Sequence, residues 1–208
     1  MDHHSVAPIA AVLPNGCADI DQIVSGFAIA QIGRGRQIRG LVQETCGTCQ
    51  SKQVSLVDLD SGRMYPITQY LGTHSVSCRL DLGGIVESSV VMRRIALRGA
   101  DLAIFNRYSA LEAKGGGFAA EMLDLMSGHI PVLTIVPRRH LDAWRKFTGG
   151  FAAELEPTRS ALEQWFEQVH PHQPPDIAPS SATAEPLRRH DWFARAGHGE
   201  SNLSAGRP

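Results

Sequence analysis

Val12-Leu13-Pro14-Asn15-Gly16-Cys17-Ala18-Asp19-Ile20-Asp21-Gln22-Ile23-Val24, residues 12–24, links an apolar run to an amphipathic one through a turn. Upstream, Ala7 to Leu13 is short and apolar and carries valine and isoleucine, which predicts a buried parallel strand ending at Pro14-Asn15-Gly16. Downstream, Ile20, Ile23, Val24, Phe27 and Ile32 recur at near-helical spacing, and Asp19 is placed to cap the helix they predict. Strand, glycine-containing loop and helix, in that order, form the geometry in which backbone N–H groups and a helix amino terminus gather an anion. Asn15, Gly16, Cys17, Ala18 and Asp19 are therefore the candidate ligand-binding loop.

A working triphosphate loop also needs lysine for the β and γ phosphates and a hydroxyl for magnesium. Where those would fall, the chain offers Asp19, Ile20 and Asp21. Two carboxylates there repel a triphosphate unless a metal intervenes, so ATP hydrolysis by the standard mechanism is disfavoured and magnesium is expected only if a nucleotide binds. A smaller oxyanion or a metal-bridged ligand remains compatible with the helix terminus. The plain alternative makes Asp19 an ordinary helix cap.

The rest of the chain repeats the alternation. Gln37 to Val42 predicts a second strand, and residues 54–59 and 63–67 flank Asp60-Ser61-Gly62 as an antiparallel hairpin. Asp81 is placed to cap a helix covering Ile85 to Leu97. Asp101 to Phe105 and Ile130 to Val136 are buried strands, and helices are expected over Phe118 to Met126, Arg138 to Phe147 and Ser160 to Val169, with a further short strand over Phe151 to Leu155. This order predicts an α/β fold with a mostly parallel sheet, helices on both faces and an inserted β-hairpin. Residues 1–169 are expected as one domain. Residues 170–208, rich in Pro, Ser, Ala and Gly, are expected as a disordered tail.

With 20 basic and 21 acidic residues the formal charge is −1, so no global field draws the chain to nucleic acid or anionic lipid. No apolar run approaches the roughly 18 to 20 residues needed to cross a bilayer, and the amino terminus has no basic region followed by a long apolar core, so the expected compartment is the cytoplasm. The 4 cysteines then point to reduced thiols, a metal site or redox chemistry. Cys46 and Cys49 form a C-x-x-C; Cys78 lies across the hairpin, with His74 or Cys17 as a fourth candidate ligand. Thiolate and imidazole would suit zinc or another soft metal.

Asn106 and Arg107 follow the Asp101 to Phe105 strand, on the edge where open α/β sheets bind ligands. Glu112 and Lys114 precede Gly115-Gly116-Gly117, and Arg138-Arg139-His140 follow the Ile130 to Val136 strand. A guanidinium at Arg107 or Arg138 could take over anion binding from the absent lysine. The plain readings are solvated charges at helix starts.

Three blocks carry a resemblance: AVLPNG near the start, GLVQE with VSLVDLDSGR, and DLAIFNRYSALEAKGGGFAAEMLDLM followed by IPVLTIVPRR. Together they resemble the P-loop nucleoside triphosphatases first known from thermophiles, which implies a P-loop-NTPase-like fold. In that family the third block carries an acid at the end of its strand, then a glycine. Here Asn106 and Ser109 stand in those places, while Leu111-Glu112 and the later Gly-Phe persist. Closer still, ITQYLGTHSVSCRLD and FNRYSALEAKGGGF make roughly residues 8 to 167 resemble a family known only as a domain of unknown function. Its members are often encoded near molybdate-transport or molybdenum-enzyme genes, which implies a metal or oxyanion context and partners of that kind. Losing both the lysine and the acid removes most of the electrostatic stabilisation on which phosphoryl transfer depends. The expected function is a non-hydrolysing binding or accessory protein for a small anion or nucleotide. The alternatives are a hydrolase in which Glu112 positions water, and a metal or redox sensor built on the cysteines.

Overall fold

The structure, a computed structural model, describes residues 7–17, 19–46, 53–69 and 79–170. Its strands are β1 (Ile9–Val12), β2 (Ile38–Cys46), β3 (Gln53–Asp58), β4 (Met64–Pro66), β5 (Thr68–Gln69), β6 (Arg79–Leu80), β7 (Leu102–Arg107), β8 (Val132–Ile135) and β9 (Ala153–Leu155). Its helices are α1 (Ile20–Gly33), α2 (Leu82–Arg98), α3 (Ala119–Ser127), α4 (Leu141–Phe147) and α5 (Arg159–Val169). Seven strands form one sheet in the order β4-β3-β2-β7-β8-β1-β9. β2, β7, β8, β1 and β9 run parallel, while β3 and β4 add antiparallel pairings on one side. The five parallel strands thus deliver the loops that follow β1, β7, β8 and β9 to one carboxyl edge.

The apolar runs are continuous because both faces are covered. On one face, Val91, Met92 and Ile95 of α2, Met122 and Leu125 of α3 and Trp144 of α4 join Ala11, Phe105 and Val132 in a single buried cluster. On the other, Phe27 of α1 meets Phe166 of α5 edge to face, with centroids 5.9 Å apart. Alternate strand residues supply the two layers, as Leu102 and Ile104 are buried beside Ala103 and Phe105. The parallel sheet with helices on both faces is the expected architecture.

The departures are local. Asp81 caps α2 through its side chain, which accepts from the Gly83 N–H at 2.8 Å, but Asp19 makes no such bond at the start of α1. Asp19 sits at φ −102°, ψ 20° rather than in the extended conformation that aims a cap side chain at the first turn. The residues after Pro137 begin as a 3₁₀ turn at Arg138–His140, and α4 starts only at Leu141. β2 runs on to Cys46 instead of ending near Val42, because β3 pairs with it from Leu41↔Asp58 to Cys46↔Gln53. The hairpin is thereby part of the main sheet. β2 pairs with β7 only over Ile38 to Gly40, so its backbone changes course at Gly40, where φ is +127°. The outermost strands, β4 and β9, are 3 residues each, and β4 ends in Pro66. Residues 171–208, including the expected tail, lie outside the described residues.

Candidate functional site

At the carboxyl edge the loop after β1 passes through two residues in the left-handed region, Asn15 at φ 46° and Gly16 at φ 81°. The Cys17 N–H closes the turn on the Pro14 carbonyl at 2.6 Å. Asn15 spends both ends of its amide on neighbouring loops: Nδ2 donates to Glu156 Oε2 at 2.9 Å, and Oδ1 accepts from Arg138 Nε at 2.9 Å. The loops after β1, β8 and β9 are thus tied through one side chain. Arg138 itself is exposed and makes no ion pair among the described residues, leaving its outer guanidinium nitrogens toward solvent. Ala18 lies outside the described residues.

In the first turn of α1, Asp21 is the hub of a second group. Arg107 Nη2, from the end of β7, donates to both Asp21 oxygens at 2.7 Å, and Gln43 Nε2 of β2 adds a bond of 3.0 Å. Gln43 Oε1 in turn accepts from Asn106 Nδ2 at 3.3 Å. Asn106 Oδ1 is buried without a hydrogen-bond partner among the described residues. Asp21, Gln43 and Asn106 line a crevice whose walls include Val24, Ile104 and Ile135. Asn106 and Arg107 therefore meet the helix that follows the β1 loop, as the sheet topology requires, but the Arg107 guanidinium is committed to Asp21. Asp21 stood out in the sequence only as an acid in the place of the lysine and hydroxyl of a triphosphate loop, and Gln43 did not stand out. An acid at the hydroxyl position and an arginine at a strand end are the only hint of the pair, and Gln43 offers none.

Glu112 occupies a different place. It is 4% exposed, its Oε2 accepts from the Ser109 N–H at 2.9 Å and the Ser109 hydroxyl at 2.7 Å, and its Oε1 accepts from the Phe118 N–H at 3.3 Å. The carboxylate braces the 109–118 segment from inside. Gly117, at φ +56°, approaches so closely that a Cβ there would overlap Glu112 Oε1. Lys114 is exposed at the end of a 3₁₀ turn.

Beside this brace, Tyr108 is 1% exposed and packs edge to face on Trp144, with centroids 5.1 Å apart. Burial pushes its phenol above the ordinary value, and the Glu112 carboxylate adds to the shift. As pH rises past about 10 the unfolded chain loses this proton before the folded one does, so the contribution is complete below that pH and is lost above it. Tyr108→Phe is expected to flatten the fall in stability above about pH 10, relative to the parent chain. Urea unfolding at stepped pH measures this, and parallel curves for the two proteins would refute it.

Of the candidate metal ligands, Cys49, Cys78 and His74 lie outside the described residues. Cys46 is an exposed free thiol at the end of β2, 3.8 Å from Glu44 Oε1, and Cys17 is a half-buried free thiol in the β1 loop. Among the described residues no three His, Cys, Asp or Glu side chains gather as a metal site. No described helix is long and apolar enough to cross a membrane.

The model of the family described as "Protein of unknown function (DUF2478)" matches residues 9–165, from the first strand into the last helix. The chain belongs to the DUF2478 family. Among curated proteins, the Molybdenum import ATP-binding protein ModC 2 of Bradyrhizobium diazoefficiens is 34% identical over 163 residues. That match covers 77% of this chain and 18% of the relative, so this member of the family spans less than a fifth of that protein's length. Two solved structures share the fold. The solution structure of a human cancer-related nucleoside triphosphatase aligns with TM-score 0.53 at 13% identity, covering 77% of this chain and 95% of the other. The crystal structure of THEP1 from the hyperthermophile Aquifex aeolicus aligns with TM-score 0.50 at 16% identity, with the same coverages.

Proposed function

We propose that this chain is a non-hydrolysing ligand-binding or accessory module that holds a small oxyanion or a nucleotide at the carboxyl edge of its sheet, in molybdenum import or a related process. The observation that carries the reading is the two-oxygen bond of Arg107 to Asp21. At the start of α1, where a hydrolase presents an uncompensated lysine to phosphate, this chain presents a cation already neutralised by a carboxylate. A triphosphate would have to separate that pair, and the strand-end acid that would direct magnesium is Asn106. What remains for an anion is the loop Asn15-Gly16-Cys17 and the free face of Arg138, a guanidinium suited to oxyanions. The molybdenum context rests on the likeness to a molybdenum import ATP-binding protein, and zinc or another soft metal at Cys46, Cys49, Cys78 and His74 belongs to the same proposal as a separate site.

Calorimetry of the full chain with ATP, GTP and molybdate, alongside phosphate-release assays and metal analysis, tests this. At least one of the three ligands is expected to bind, without phosphate release. Arg138→Ala is expected to weaken binding by about tenfold or more through loss of charge-assisted hydrogen bonds. Magnesium-dependent phosphate release that disappears in Glu112→Gln would replace the proposal with a hydrolase, and failure of all three ligands to bind would end it.

A further inference from the structure

Arg107 is not where strand alternation would put it. In β7, Ala103 and Phe105 belong to the cluster under α2, α3 and α4, so an unbroken strand would send Arg107 to that face. The register against β8 slips instead: Phe105 pairs with Thr134, and Arg107 with the very next residue, Ile135. Asn106 is the extra residue of a bulge, and past it the Arg107 side chain reaches Asp21 on α1, the helix of the opposite face. Bulges of this kind re-aim a side chain, and they concentrate beside functional sites.

The contact made there is incomplete. A guanidinium grips a carboxylate most firmly with two nitrogens, one to each oxygen. Arg107 spends Nη2 alone on both Asp21 oxygens, and its Nε and Nη1 make no hydrogen bond among the described residues. The pair is also open to water, with 28% of the Arg107 and 26% of the Asp21 side chain exposed, and ion pairs in contact with water contribute little. Gln43 Nε2 gives the same carboxylate its remaining bond. An oxyanion that presents two oxygens can engage two nitrogens of Arg107 and the Gln43 amide, which is more than the carboxylate holds. We infer that Asp21 is a built-in competitor for Arg107, an autoinhibitory contact that a small dianionic oxyanion displaces. The inference rests on the reading that this edge holds an anion, and it gives that site a second cation under internal control. With Asp21 in place the guanidinium is covered and binding is weak; once the carboxylate turns away, Arg107 meets the ligand with a free fork.

Calorimetry of the full chain with inorganic phosphate and with molybdate tests it. Asp21→Ala is expected to tighten binding of at least one of them about tenfold, and Asp21→Asn, which keeps the side-chain shape, to do so in part. Both variants are expected to keep the circular dichroism spectrum of the parent. Adding Arg107→Ala to Asp21→Ala is expected to abolish the gain. Asp142→Asn removes a charge of the same sign from the first turn of α4, where the side chain is 92% exposed and pairs with Arg145 instead of Arg107. Its charge is screened by solvent, so affinity is expected to change by about twofold or less. A gain that survives Arg107→Ala, or that Asp142→Asn matches, overturns the inference, because lost negative charge alone then explains it. Unchanged affinity in both Asp21 variants, while Arg138→Ala still weakens the parent, also overturns it and leaves the anion-binding reading intact. A gain in Asp21→Ala where Arg138→Ala has no effect supports the competitor and removes Arg138 from the site. If neither anion binds the parent or either Asp21 variant, the inference falls together with the oxyanion reading.

Discussion

Gly40→Ala is expected to lower the stability of the fold by about 4 kcal/mol, the sum of a left-handed backbone strain and an overpacked contact. Gly40 holds φ at +127°, and a Cβ there would overlap the carbonyl oxygen of Ile104 on the neighbouring strand β7. Neither side can give way, because the Cβ is fixed to the Gly40 backbone and the Ile104 oxygen is itself backbone, both in the middle of the sheet. Gly40 is also where β2 leaves its parallel partner for its antiparallel one, and its own carbonyl accepts from the Leu59 N–H at 3.0 Å. The variant therefore has to choose between its pairing with β7 and its pairing with β3. Urea unfolding followed by circular dichroism measures the loss, and a midpoint within error of the parent would refute the account.

Asp58→Ala is expected to cost about 3 kcal/mol, the low end for breaking a buried ion pair, and to lower the melting temperature by roughly 10 °C. Asp58 is 0% exposed, at the end of β3. One carboxylate oxygen accepts from Arg94 Nη2 at 2.6 Å and from the Ser61 hydroxyl; the other accepts from the Asp60 N–H at 3.0 Å. It thus organises the turn into β4 and fastens α2 to it. The alanine variant leaves Arg94 partly exposed, beside Asp60 at 3.7 Å, which limits the damage. Arg94→Ala is expected to cost at least as much, because it strands a carboxylate with no access to water. Thermal melts of the two variants decide the order, and a smaller loss for Arg94→Ala would reverse the assignment of which charge is trapped.

Elements made of uninterrupted apolar residues were legible in the sequence. β7 and β8 are such runs, and α1 declares itself by spacing from Ile20 to Ile32. The course of β2 was not, since Gln43-Glu44-Thr45-Cys46 has no strand-like apolar pattern and is held extended only by the β3 ladder. The resemblance to nucleoside triphosphatases led to the fold, and the shared topology at 13% and 16% identity agrees with it. The carboxyl-edge loop was legible as a loop, through Pro14-Asn15-Gly16. Its fastening was not, because Asn15 reaches Arg138 and Glu156, and Asp21 reaches Arg107, across separations in sequence that no local pattern encodes. Glu112 was noticed as a carboxylate near glycines. What it touches depends on the fold of the 109–118 segment, which turns the carboxylate inward.

The two outer strands of the sheet limit how this protein can polymerise. A row of unpaired backbone groups along a sheet margin is a template on which further strands add, the route by which α/β proteins form fibres. Here each margin is 3 residues long, and Pro66, with no N–H to offer, removes one of the donors at the β4 side. Among the described residues, these two outermost strands offer only a short template for backbone-directed growth. Contacts at these margins depend on side chains more than on backbone pairing, which leaves them open to change by single substitutions.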